Sequence, residues 1–167
     1  PVRVAMATPE GGVFTVGTGD ITQGIVGGDN TVVVNQAESV IEWGSPGSGG
    51  IDTSSSESLS FSQLAGLSNS AVLNRINSGN ITQFNGTLNG VGMRIFVVNP
   101  AGIVFGKTAI INIAQLVASS LNIADDDFLN GAPYQFTDGL TAGDITWKTK
   151  ACNVIAERIA LIGRNVI

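Results

Sequence analysis

Apolar and polar residues alternate along this chain in runs of only a few positions. In Ser58 to Ser62, Leu59 and Phe61 alternate with serine, the pattern of a strand with one face in a core and the other in water. Runs of similar length rich in β-branched residues recur at 31–35 (TVVVN), 39–43 (SVIEW), 94–98 (RIFVV), 109–113 (AIINI), 143–147 (GDITW) and 158–167 (RIALIGRNVI). Gly, Asn, Ser and Thr crowd the gaps between them. No long segment carries a 3.6-residue period. The helical candidates are short: Ser62 to Leu67, and the turn from Asp125-Asp126-Asp127 into Phe128 and Leu129. The pattern predicts an all-β chain.

One apolar stretch is interrupted. In VVNPAGIVFG (97–106), Asn99, Pro100, Ala101 and Gly102 sit between runs that are apolar at successive positions, Ile95 to Val98 and Ile103 to Phe105. Successive apolar positions predict strands covered on both faces. Asn at the first place, Pro at the second and Gly at the fourth are the preferences of a type I β-turn. The break therefore reads as a rigid corner that lets two buried strands sit in different sheets.

Near-repeats shape the fold expectation. GDIT occurs at 19–22 and 143–146, with GNIT at 79–82. The intervals divide into coils of about 20–21 residues, the range of a solenoid repeat. With Gly and Asn at the corners, these features predict a right-handed parallel β-helix; a Greek-key β-sandwich accounts for the strand count almost as well. In a β-helix, Asn74, Asn99, Asn112 and Asn122 would stack as amide ladders. The Gly-rich segment 11–28 would cap the first coil, and the apolar ending LIGRNVI reads as a truncated piece with further coils to follow. Residues 1–167 are expected to form a single domain, without a leader or a membrane-spanning run.

Composition narrows the chemistry. The net charge of -5 disfavours nucleic acid and anionic membrane as partners. The absence of histidine removes the commonest general base and most transition-metal sites. The single cysteine, Cys152, forms no internal disulfide and reads as a buried structural thiol. No cofactor and no metal site is expected. Asp125 to Asp127 would hold calcium or belong to a polysaccharide-cleaving site in one reading; the favoured one is a helix N-terminus that the aspartates cap. Asn80-Ile81-Thr82 and Asn85-Gly86-Thr87 match a glycosylation pattern but read as turn chemistry, with Asn85-Gly86, Asn89-Gly90 and Asn130-Gly131 as tight-turn dipeptides. From Ser58 to Gly106 the only charged side chains are Arg75 and Arg94, which would pair locally or face an acidic partner.

The segment from Ser68 to Gly131 resembles the N-terminal secretion domain of two-partner-secreted exoproteins, the filamentous-haemagglutinin type. The matching stretches are SNSAVLNRI (68–76), GNITQFNGTLNGVGMRIFVVNPAGIVFGKTAIIN (79–112) and LVASSLNIADDDFLNG (116–131), in the family's order and spacing. VIEW near the start and GDITW with RIALIGRNV at the end extend the likeness, which is greatest to the high-molecular-weight adhesin branch. The resemblance implies a right-handed β-helix with an N-terminal cap and extra-helical strands. It maps the family's Asn-Pro-Asn-Gly-Ile element onto Asn99, Pro100, Ala101, Gly102 and Ile103, with Ala101 replacing the middle Asn. Asn74 and Arg75, in the matching LNRI stretch, join them as candidate recognition residues. The family's Asn-Pro-Asn-Leu element has no counterpart here.

What the resemblance implies for function is a targeting and folding module, not an enzyme. Such a module crosses the periplasm of a Gram-negative bacterium and is recognised by the POTRA domains of an outer-membrane β-barrel transporter. That transporter exports the attached adhesin- or haemolysin-like passenger to the cell surface, where the passenger meets the host. The domain is expected to act as a monomer and not to insert into the membrane. Two rival readings remain: a directly adhesive host-binding module, and a carbohydrate-active β-helix enzyme.

Overall fold

The computed structural model describes residues 8–137 and 142–167. The chain forms β1 (Gly12–Val16), β2 (Gly19–Thr22), β3 (Asp29–Val34) and β4 (Glu38–Trp43). It continues through β5 (Ser58–Gln63), β6 (Ala71–Ile76), β7 (Thr82–Phe84), β8 (Thr87–Val98), β9 (Ile103–Phe105) and β10 (Ile110–Ser119). Then β11 (Asn122–Ile123), helix α1 (Asp125–Asn130) and β12 (Phe136–Thr137) leave the stack, and β13 (Ile145–Trp147), β14 (Val154–Ile155) and β15 (Arg158–Ile162) rejoin it.

Parallel pairing winds these strands into a three-walled β-helix. The first wall stacks β3, β5, the start of β8, the start of β10 and β14. The second stacks β4, β6, the rest of β8, the rest of β10 and β15. The third is a separate sheet of β7, β9 and β13. Each strand β8 and β10 spans two walls and breaks register where it bends. In β8 the bend contains Gly92 at φ +71, a backbone state that a side chain disfavours.

Period-2 patterning places one face of every wall inside. Leu59, Leu88, Ile111 and Val154 stack in successive coils of the first wall. In the third wall, Phe84 stacks on Phe105 with ring centroids 5.3 Å apart, and Phe105 meets Trp147 at 4.8 Å. Polar side chains also reach this interior, among them Asn74. Asn74, 0 % exposed, lies in register between Ile41 and Val97. Its Oδ1 accepts the Trp43 indole N–H at 2.9 Å, and its Nδ2 donates to the Phe96 carbonyl at 3.1 Å. An aromatic N–H is thereby satisfied where water is excluded.

The first coil is closed as the Gly-rich segment leads one to expect. β1 pairs antiparallel with β4, and β2 pairs antiparallel with β3, so both walls end under a reversed strand. Glu57, 2 % exposed, ties this cap to the stack. Its carboxylate accepts from Thr8 Oγ1 at 2.6 Å, Ser54 N at 2.8 Å and Gly27 N at 3.0 Å. Burial pushes the carboxyl up, and the hydrogen bonds from Thr8, Ser54 and Gly27 outweigh it, so the group sits below its ordinary value of 4.5.

Several expectations fail for identifiable reasons. Ser62 to Leu67 is not a helix. Ser62 and Gln63 pair with Val33 and Val34, because ladder partners one coil away outweigh weak local helix preference. The tetrapeptide repeats are not equivalent: GDIT at 19–22 is the antiparallel cap strand, and Ile145 stacks through Ile103 on Thr82 rather than on Ile81. The period is 21 residues from Thr82 to Ile103, but 29 from Asp29 to Ser58 and 42 from Ile103 to Ile145, because loops and the extra-helical excursion lengthen individual coils. The four asparagines do not form one ladder. Asn74 is internal, Asn99 lies at a corner, Asn122 is extra-helical, and Asn112 stacks on Asn89 of the first wall. That pairing also places Asn89-Gly90 inside β8 instead of at a turn. The Cys152 side chain lies outside the described residues.

Two predictions follow from the buried polar groups. Replacing Asn74 with Leu keeps the volume but orphans the Trp43 indole N–H, and should lower the unfolding free energy by about 1–3 kcal/mol; urea denaturation followed by tryptophan fluorescence measures it. For Glu57, a depressed folded-state value means the stabilisation is full above the unfolded value of 4.5 and disappears as pH falls through the folded value. Glu57→Gln should therefore unfold at lower urea than the parent at pH 7. The gap should narrow progressively below pH 4.5.

Candidate functional site

The corner predicted at Asn99 to Gly102 lies where β8 of the second wall turns into β9 of the third. The Gly102 N–H donates to the Asn99 carbonyl at 2.9 Å, closing a four-residue turn. Among described non-glycine residues only Asn69 has positive φ, so Ala101 does not, and turn types that require it there are excluded. Asn99 is 0 % exposed and works in three directions. Its Nδ2 donates to the Asn80 carbonyl and to Thr82 Oγ1, both at 2.8 Å, and its Oδ1 accepts the Ala101 N–H at 3.0 Å.

The corner is also bonded to its neighbours above and below. Thr82 N donates to the Gly102 carbonyl at 3.1 Å, while Gly143 N donates to the Pro100 carbonyl at 2.8 Å. Gly102 has φ +114, and a Cβ there would stand 2.8 Å from the Asp144 carbonyl oxygen. Only glycine fits without displacing the next coil. Ile103 is inside the core and stacks between Thr82 and Ile145. Pro100 is exposed and Ala101 half-buried, so these two carry the corner's outward surface. Beside them is a shallow depression of about 250 Å³ lined by Ile76, Asn77, Gly79, Asn99, Pro100 and Ala101.

Arg75 stands on the outer face of the second wall, one residue from buried Asn74. It ion-pairs with Glu42 on the adjacent β4 and, at 2.8 Å, with Asp125 of α1. It also donates to the Ile123 carbonyl at 2.6 Å and to Asn122 Oδ1 at 3.1 Å. Burial pulls the guanidinium down, and the bonds to Asp125 and Glu42 outweigh it, leaving the charged form favoured beyond its ordinary value. Arg94, the other lone cation of that region, donates to the Asn69 carbonyl at 3.1 Å and the Tyr134 hydroxyl at 3.3 Å, with Glu38 at 3.6 Å. Both arginines are paired locally.

The structure gathers Asn99 to Ile103 in one corner, with Arg75 linked to its rim. Glu42 accepts from Arg75 on one oxygen and from Asn77 of the depression on the other. Asn74 is not part of this surface; it faces the interior. The three aspartates play different parts from the expected caps. Ala124 occupies the N-cap with no side-chain cap bond; Asp125 meets Arg75, and Asp127 accepts the Gln135 N–H. All three still complement the helix dipole from its first turn. Among the described residues, no group of His, Cys, Asp and Glu is placed to hold a metal ion. Glu42, and the role of Asn122 as an acceptor for Arg75, escape a sequence reading because their partners lie a coil or more away.

Comparison with known proteins bears on the same region. The profile of the TPS secretion domain matches residues 26–167, which include the corner, both arginines and the excursion from the helix. Among solved structures, the HMW1 secretion domain from Haemophilus influenzae matches with a TM-score of 0.74 and 25 % sequence identity. That match covers 95 % of this chain and 40 % of that one, so the chain spans less than half of the relative's length. Among curated proteins, none matches in sequence. A capped parallel β-helix with an extra-helical excursion, matched over nearly its whole length, makes this chain a member of the TPS secretion domain family, a module of two-partner secretion near the high-molecular-weight adhesin branch.

Proposed function

We propose that this domain is the part of a larger exoprotein that a cognate outer-membrane β-barrel transporter recognises through its periplasmic POTRA domains. The exoprotein would pass through the periplasm of a Gram-negative bacterium and be released at the surface or held there. Its passenger would be adhesin- or haemolysin-like. The observation that carries the reading is the corner itself. A preformed turn, bonded to the coils on either side, presents Pro100 and Ala101 next to a shallow depression, within the segment that the TPS profile matches.

The residues divide by role in this reading. Pro100 and Ala101 touch the partner. Asn99, Gly102 and Ile103 hold the corner's shape, Asn74 supports the wall beneath it from inside, and Arg75 fixes the rim. Rigid presentation lowers the ordering cost of binding. If the partner adds an extended strand, backbone hydrogen bonds carry much of the affinity and little charge is needed. The pairing of Arg75 with Glu42 and Asp125, and of Arg94 with Glu38, favours a non-enzymatic binding module over a carbohydrate-active one. These acids are engaged with cations along a wall and do not converge across a cleft.

Binding of the domain to the purified POTRA region of its neighbouring transporter tests this. Pro100→Glu and Ala101→Glu should leave the urea midpoint close to that of the parent and weaken binding at least tenfold. Gly102→Val should instead fail to fold or fold slowly, losing binding as a consequence. Undiminished binding by folded Pro100→Glu and Ala101→Glu proteins would remove the corner from the recognition surface.

A further inference from the structure

The outer face of a β-helix wall ordinarily meets water. On the first wall it does, through Thr31, Ser60 and Asn112. The second wall differs. Val40, Ala71, Leu73, Phe96 and Val98 form an apolar outer face, closed over by Ile123 and Phe128 and flanked by Tyr134 and Phe136. Phe96 meets Phe128 and Tyr134 edge-on, with centroids 5.1 and 5.0 Å apart.

The segment that supplies this cover, residues 121–137, is attached in an unusual way. Its two strands pair only with each other, as a separate two-stranded sheet. By contrast, β8 and β10 share a ladder over nine residue pairs. The strap is held by side chains: the aromatic contact at Phe96, the Tyr134 hydroxyl on Arg94, and above all Arg75. That one guanidinium reaches a carbonyl, an amide oxygen and a carboxylate of the strap while its remaining pair, Glu42, belongs to the helix. It is the chief polar joint between two bodies that share no described strand pairing.

We propose that residues 121–137 are a detachable strap, a separate cooperative unit keyed to the β-helix by Arg75, and that it lifts as one piece while the coils beneath stay wound. Units held by side chains alone open at lower free energy than those tied into a continuous ladder. Lifting the strap uncovers Leu73, Phe96 and Val98, in the strands that lead into and stack beneath the Asn99 corner. Arg75 is therefore a positioning residue: it sets whether that apolar face is covered.

Native-state hydrogen exchange of the intact chain in low urea tests the proposal without any variant. The strap reporters are the amides of Phe128 and Gly131, both bonded within the strap. They should exchange with a weaker urea dependence than amides of β8 and β10. Arg75→Ala should then speed strap exchange at least tenfold and leave β8 and β10 unchanged, with Arg75→Lys intermediate. Nitration of Tyr134, the chain's single tyrosine, should accelerate in parallel while the fluorescence of the two tryptophans, Trp43 and Trp147, holds. Strap and helix amides of the parent sharing one urea dependence would overturn the proposal, as would Arg75→Ala accelerating both groups equally. Should Arg75→Ala fail to fold, the parent measurement still decides.

Discussion

Parallel in-register stacking is the constraint on which the rest of this molecule depends. Because each coil lies directly over the last, an inward position in one wall must be filled in every coil. Phe84, Phe105 and Trp147 meet this demand in one wall, and Leu59, Leu88, Ile111 and Val154 in another. The same stacking makes corners costly, since the chain must turn from one wall to the next without stranding backbone donors inside. Asn99 solves that problem with one side chain, satisfying a carbonyl and a hydroxyl of the coil below while its own Oδ1 closes the turn.

A polar residue within such a stack can complete what its neighbours leave open. Asn74 interrupts a column of apolar side chains, yet its amide receives the Trp43 N–H and donates to a main-chain carbonyl. A large aromatic can therefore be fully buried in the first coil, where the wall meets its cap. Glu57 does comparable work lower down, joining Thr8, Gly27 and Ser54, three separate pieces of chain, through one carboxylate. The desolvation of that carboxylate is offset because the donors are fixed and need little ordering.

What the sequence reveals depends on the range of the physics involved. The corner is legible because Asn, Pro and Gly each have a single-residue reason to occupy their places. The doubly apolar run Ile95 to Val98 correctly signals cover on both sides, with Ile95 and Val97 inside and Phe96 and Val98 under the strap. Val104 is the exception in the partner run, half-buried on the outside of the third wall. Coil height is not legible, because loops of different length separate equivalent positions. That is why a shared tetrapeptide misidentifies the cap strand as a coil, and why four asparagines that follow strand residues end on different surfaces. Arg75 is visible as an isolated charge, but its partner Asp125 lies 50 residues away, and only the fold brings them together.

The second wall shows how these constraints combine. Once its outer face becomes apolar, water no longer suffices as a neighbour, and a segment of chain must leave the coil to cover it. That excursion lengthens the coil to 42 residues and supplies α1, whose Asp125 pairs with a cation. The cation must come from the wall itself, at a position facing outward and close to the strap's entry. Position 75 meets both requirements, and a guanidinium reaches more acceptors there than an ammonium would. The apolar face and the strap are thus not independent additions to a β-helix. They follow one another from the choice of apolar residues on the side of a wall that a plain solenoid leaves polar.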